Sequence, residues 1–309
     1  MSIVVGVVPG RDPRPPVRLG ALLARSYGHS LVLASILSSP WGTGVRVDAE
    51  YRRFRADEAE RCLQAAAEAV PADLAVERVT REAGSPRNGL LQVCREADAF
   101  RLVLGSSADA PPGLIRLGGV PTGLLHSAPL PVAVAPQGFD TADDARVSRI
   151  SAAFNGTETS AGLVIGAAAV AALADCPLRI VAFTPRQGRV TTGLEAGVGA
   201  DVEDAVVDEW AAEIDERTQT LAGEISRLDR RPTAVESVFG SGRNWSEAVG
   251  RVPWELDEVL MVGSRTLGAL TRLSLGSRAA KILKNSPVPV VLVPHRAGED
   301  YAEAGETTP

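Results

Sequence analysis

The chain has 309 residues, 45% of them hydrophobic and 4% aromatic, with a formal net charge of −6 at pH 7. That length exceeds one ordinary core and predicts two domains, while few aromatics beside abundant Ala, Val, Leu and Gly predict the thin aliphatic layers of parallel sheets. The acidic balance argues against nucleic acid or an anionic membrane surface as partner, and no apolar run reaches the roughly 18 residues that a membrane span needs. Cys62, Cys94 and Cys176 form no CxxC pair and read as small buried hydrophobes of a reducing compartment. The N-terminus opens on a strand without a basic leader, so a soluble cytoplasmic protein is expected.

In chain order, Ile3 to Val8 reads as a strand, Val17 to Tyr27 as a helix, Ser30 to Leu37 as a strand and Glu50 to Val70 as an Ala-rich helix. Leu74 to Thr80, Phe100 to Leu104 and Pro131 to Ala135 follow as strands, with helices at Asn88 to Ala97 and Gly119 to Ser127 between them. Gln137 to Val147 is polar and reads as a linker. A second series then runs through strands Arg149 to Phe154, Leu178 to Thr184, Thr233 to Phe239, Glu258 to Val262 and Val288 to Val293. Its helices are Ala161 to Ala174, Val202 to Leu228, Trp245 to Val252 and Ser277 to Lys284. The first of these is apolar nearly all round and is expected among the most buried helices. The acidic stretch Asp201 to Glu216 reads as a solvated helix face with Trp210 turned to the core.

The second series repeats the first. Ser127 to Pro136 matches Asn285 to Pro294, and Asn285 follows Ser127 by 158 residues. Leu104-Gly105-Ser106 matches Val262-Gly263-Ser264, and Leu117-Gly118 matches Leu275-Gly276, at the same spacing. Gly84 to Asn88 aligns with Gly240 to Asn244 at 156, which predicts two extra residues in the helix that follows in the second copy. Alternating strands and helices call for right-handed crossovers over a parallel sheet. The expected fold is α/β: two tandem, doubly wound, five-stranded domains at 1–136 and 148–295, joined by 137–147 and followed by a disordered tail at 296–309.

In such sheets ligands bind beyond the carboxyl ends of the strands, where strand order reverses. After its fourth strand the second copy reads Val262-Gly263-Ser264-Arg265-Thr266, then Leu267 to Leu275, then Gly276-Ser277 opening a helix. Small residues let backbone N–H groups approach a phosphate, and a helix N-terminus favours its charge. After its first strand comes Phe154-Asn155-Gly156-Thr157, with side-chain donors and acceptors at Asn155. No catalytic set emerges: His29, His126 and His295 are isolated, and neither GxSxG, HExxH nor GxxxxGK[ST] occurs.

The loop after the fourth strand resembles the ATP motif of the universal stress protein family: Gly, two residues, Gly, nine residues, then Gly and Ser or Thr. Gly263, Gly276 and Ser277 match it, Thr266 replaces the second glycine, and Asn155-Gly156 stands where the family places Asp-Gly. The first copy departs further, with Val8-Pro9-Gly10 after its first strand and Gly105-Ser106-Ser107-Ala108 after its fourth. The resemblance implies a Rossmann-like fold of the adenine nucleotide alpha hydrolase type whose fifth strands pair edge to edge. It also implies a stress-response regulator rather than an enzyme, binding ATP, with Mg²⁺ where ATP is bound. The contacts it implies are Asn155, Gly156, Phe183, Val262, Gly263, Thr266, Gly276, Ser277 and Arg278. A homodimer is expected, without nucleic acid or membrane insertion. A nucleotide-free interaction scaffold and an uncharacterised nucleotide hydrolase remain as alternatives.

Overall fold

Side chains of successive strand residues point to opposite faces, so a strand made wholly of aliphatics must be covered on both. The computed structural model describes residues 1–38, 49–125, 128–185, 196–266, 273–274 and 276–294, with the backbone alone for 196–208, 265–266 and 273–274. In β1 (Ser2–Val7) Ile3, Val5 and Val7 enter one core layer and Val4 the other. The first copy continues with α1 (Arg14–Tyr27), β2 (Ser30–Ser38), α2 (Ala49–Glu68), β3 (Val76–Ala83), α3 (Pro86–Glu96), β4 (Ala99–Gly105), α4 (Gly119–Leu125) and β5 (Val132–Ala135). The second runs β6 (Arg149–Ala153), α5 (Glu158–Leu173), β7 (Leu178–Pro185), α6 (Ala196–Ile225), β8 (Val235–Gly242), α7 (Trp245–Gly250) and β9 (Glu258–Gly263). It ends with a short hairpin, β10 (Arg265–Thr266) and β11 (Leu273–Ser274), then α8 (Ser277–Asn285) and β12 (Val290–Val293). The expected tail at 296–309, the end of the predicted helix at Ser127, and His126 and His295 lie outside the described residues.

Ten strands form one sheet in the order β3-β2-β1-β4-β5-β12-β9-β6-β7-β8. Pairing is parallel within each copy, and β5 meets β12 antiparallel through Val134–Val290, Ala133–Val291 and Val132–Leu292. The edges of the two fifth strands thus cover each other, as expected. Helices α1, α2, α5 and α6 contribute to one core layer and α3, α4, α7 and α8 to the other. From Leu163 to Ala174 no residue is exposed, in line with the apolar sequence of α5. Helix α1 is covered more completely, because the interdomain segment also lies on it: Arg18 pairs with Asp140 at 3.2 Å, and the Val147 N–H donates to Ser26 Oγ at 2.8 Å.

The repeat spacing inferred around Gly84 is corrected by the structure. Strands β3 and β8 correspond from end to end 159 residues apart, Val76 with Val235 and Ala83 with Gly242. No extra residues enter the next helix; α7 has 6 residues where α3 has 11. Pro253 follows and cannot extend a helix, so Val252 to Asp257 becomes a loop that carries Trp254. Trp210 packs against Phe239 with ring centroids 6.5 Å apart, on the core side as expected. Burial pushes the thiol of Cys94 up to about 12 and that of Cys176 to about 11, in keeping with their reading as buried hydrophobes. Among the described residues no helix is long and apolar enough to cross a membrane.

Candidate functional site at the switch point of the second copy

Crossovers leave β6 and β9 toward opposite faces of the sheet, which opens a crevice at their carboxyl ends. A cleft of ≈ 300 Å³ occupies it, walled by Ala153 to Asn155, by Val262 to Ser264 and by Gly276, Arg278, Ala279 and Ile282 of α8. Its aromatic side is formed by Phe183 and Trp245. Phe183 is held from behind by Trp254, with centroids 6.5 Å apart and planes inclined at 29°, and the Trp254 Nε1–H donates to the Val249 carbonyl at 2.9 Å. Trp245 opens α7, where Asn244 caps the helix by accepting the Glu247 N–H at 3.0 Å, and Lys281 lies 5.8 Å from its ring centroid.

The first-strand loop is organised by helix capping. Thr157 Oγ1 accepts the Ser160 N–H at 3.3 Å, and Ser160 Oγ accepts the Thr157 N–H at 3.2 Å, a reciprocal cap for α5. Asn155 Oδ1 accepts the Thr157 N–H at 3.2 Å and the Thr157 hydroxyl at 2.7 Å. Gly156 holds φ at +82°, and a Cβ there would meet Ile214 Cδ1 at 2.9 Å, so the turn itself requires glycine. Helix α8 starts at Gly276, which has extended backbone and no side chain with which to cap the first N–H groups.

Of the residues singled out from sequence, Asn155, Phe183, Val262, Gly263, Gly276 and Arg278 line the cleft. Ser277 is the exposed first residue of α8, between two lining residues. Thr266 belongs to β10, its backbone paired antiparallel with Leu273, and Leu267 to Arg272 lie outside the described residues. Trp245 and Ser264 were not singled out. The cap signal of Asn244 and the Ser264–Ser106 match across the repeat were the legible clues to them.

Arg278 is the one ionisable side chain among the described lining residues. With the positive end of α8 beside it and the rings of Phe183 and Trp245 in the same lining, the cleft suits an anion attached to a flat apolar ring. Ser264 is 6% exposed, and its Oγ has no partner among the described residues. Among the described residues no carboxylate lines the cleft, so these residues do not fit a Mg²⁺ ion held by the protein.

The matching loop of the first copy is closed on itself. Ser106 Oγ accepts the Arg116 N–H at 2.8 Å and donates to the Arg116 carbonyl at 3.2 Å. Ile115 is buried, and Gly113 and Leu114 exchange backbone bonds with Gln137 at 2.9 and 3.0 Å.

A doubly wound α/β fold used twice in one chain, joined through its fifth strands and with a cleft at one switch point, defines a tandem two-domain α/β protein. A model of the universal stress protein family matches residues 1–136 and 147–294. Universal stress proteins of Mycobacterium tuberculosis and Mycobacterium bovis are each 32% identical over 303 residues, spanning 95% of this chain and 100% of theirs. A universal stress protein structure from Archaeoglobus fulgidus superposes with TM-score 0.57 at 14% identity, covering 95% of this chain and 98% of that one. A functionally unknown protein from Pseudomonas aeruginosa gives 0.53 at 16%, covering 99% and 96%. The chain belongs to the universal stress protein family.

Proposed function

We propose that the second copy binds an adenine nucleotide in the β6–β9 cleft and acts as a nucleotide-responsive regulator rather than an enzyme, while the first copy serves as its structural partner. The observation that carries this reading is the meeting of an aromatic side, Phe183 and Trp245, with the uncapped start of α8 and Arg278 in one cleft. The rings suit a base, and the helix start suits a phosphate. The self-closed Ser106 to Arg116 loop supports a structural role for the first copy.

Titration calorimetry with ATP and AMP, alongside mass spectrometry of co-purifying nucleotide, tests the proposal. Binding is expected in the wild type, stronger in Thr266→Gly and abolished in Gly276→Val without unfolding. A folded protein that binds neither nucleotide, as wild type or as Thr266→Gly, overturns it in favour of a scaffold. We further propose that the chain forms a homodimer through surfaces other than the fifth-strand seam, which is already used within the chain. Light scattering that gives a monomer mass throughout the micromolar range overturns that assembly.

A further inference from the structure

We infer that β8 is a pairing edge for a second copy of this chain, the two β8 strands meeting antiparallel about Ser237. This rests on the homodimer reading above and assigns its surface. The order of the ten strands leaves two outer strands, β3 and β8, each paired with a neighbour on one side only among the described residues. A free strand edge is a template for pairing with another chain, and proteins blunt such edges with charged side chains. Strand β3 is blunted in this way. Of its eight residues Glu77, Arg78, Arg81 and Glu82 are charged, and Arg78 and Arg81 are tied to Glu60 of α2 and Glu96 of α3. Strand β8 has Glu236 as its one charged residue, and that carboxylate is drawn in over the sheet by Arg179 of β7 at 2.8 Å and Arg149 of β6 at 3.3 Å.

The edge also selects its occupant. It offers a row of backbone groups, so what completes it is an extended strand. Side chains two apart on a strand share a face. Val235 and Phe239 accordingly pack against the core layer that includes α6, with the exposed Ser237 between them, while Val238 packs against the other layer. With Ser237 opposite its own copy, each Val235 faces the partner's Phe239, an apolar cross-strand pair made twice, and each Glu236 faces the partner's Val238. Centring on Glu236 would instead oppose two carboxylates, and centring on Val238 would set each Phe239 against a serine. Pairing of β8 with the partner's β3 is head-to-tail and would propagate into fibres, whereas β8 with β8 closes as a two-fold dimer. The charges on β3 guard against the open arrangement.

Light scattering of wild type, Ser237→Lys and Thr80→Lys across the micromolar range tests the inference. Wild type and Thr80→Lys, whose exposed site is on β3, are expected to give twice the mass of one chain. Ser237→Lys is expected to give the mass of one chain with an unchanged circular-dichroism spectrum, because it sets two lysines directly opposite each other. Ser237→Cys, made beside Cys62→Ala so that the remaining native thiols are the buried Cys94 and Cys176, reads the register itself. Directly opposed residues of antiparallel strands lie about 4.5–5.5 Å apart at Cα, within disulfide reach, so oxidation is expected to link two chains. Thr80→Cys in the same background is expected to stay unlinked. A dimer that survives Ser237→Lys, or a dimeric Ser237→Cys variant that does not link, overturns the β8 edge and leaves the homodimer reading intact. Dissociation by Thr80→Lys overturns it as well, by moving the interface to β3. A monomeric wild type overturns both readings.

Discussion

Glu258→Ala is expected to destabilise the protein by about 3–5 kcal/mol, the cost typical of removing one partner of a buried ion pair. Glu258 is fully buried at the start of β9, at the end of the sheet opposite the cleft. Its carboxylate accepts from Arg179 Nη1 at 3.2 Å, from the Glu255 N–H at 2.9 Å and from the Ser151 hydroxyl. Burial pushes the carboxyl upward, while the bonds from Ser151 and Glu255 and the charge of Arg149 pull it back down. The alanine variant leaves Arg179, itself 3% exposed, with a buried charge and only the half-exposed Glu236, at 2.8 Å, as its carboxylate partner. Joint replacement of Glu258 and Arg179 by leucine is expected to be far less costly, because neither charge then has to leave water. Urea unfolding of the single and double variants checks both. A loss below about 1 kcal/mol for Glu258→Ala would mean that the pair adds no more than a surface ion pair.

Gly240→Ala should be the most damaging of the small substitutions near the cleft. A Cβ on Gly240 would lie 2.2 Å from the Ala248 carbonyl oxygen and 3.0 Å from both Phe183 Cδ1 and Val252 Cγ2. The nearest atom is backbone of α7, so the helix itself must move, at or above the roughly 1–3 kcal/mol usual for overpacking. Because α7 carries Trp245 and the clash also reaches Phe183, the aromatic side of the cleft shifts with it. Loss of nucleotide binding is therefore expected even below the melting temperature. Gly84→Ala is the control: a Cβ there has nothing within 4 Å, and a change within about 0.5 kcal/mol is expected. Comparable melting points for the two variants would contradict the packing described here.

That contrast shows where reading the chain alone succeeded and where it failed. Gly84 and Gly240 were aligned on shared Gly-Ser and Arg-Asn letters, yet one stands free beside Ser85, the cap of α3, and the other is pressed against α7. Both segments offer cap residues, and letters alone do not say which one starts the helix. In the first copy it is Ser85; in the second it is Asn244.

Local signals determined much of this protein. Aliphatic strands alternating with helices leave only a covered parallel sheet, and a repeat held at 158 residues through the last two strands makes that sheet twice, so the fold and the region of the site were legible from one chain. What needed tertiary structure was every feature set by atoms distant in sequence. Trp254 came to support Phe183 because a short helix released the loop that carries it. Gly156 is required by its own turn and by the closeness of Ile214, which no local pattern announces. Ser106, bonded to both backbone groups of Arg116, and Ser264, whose Oγ has no partner among the described residues, are alike in sequence and differ in bonding, because hydrogen-bond satisfaction depends on which groups the whole fold brings within about 3 Å.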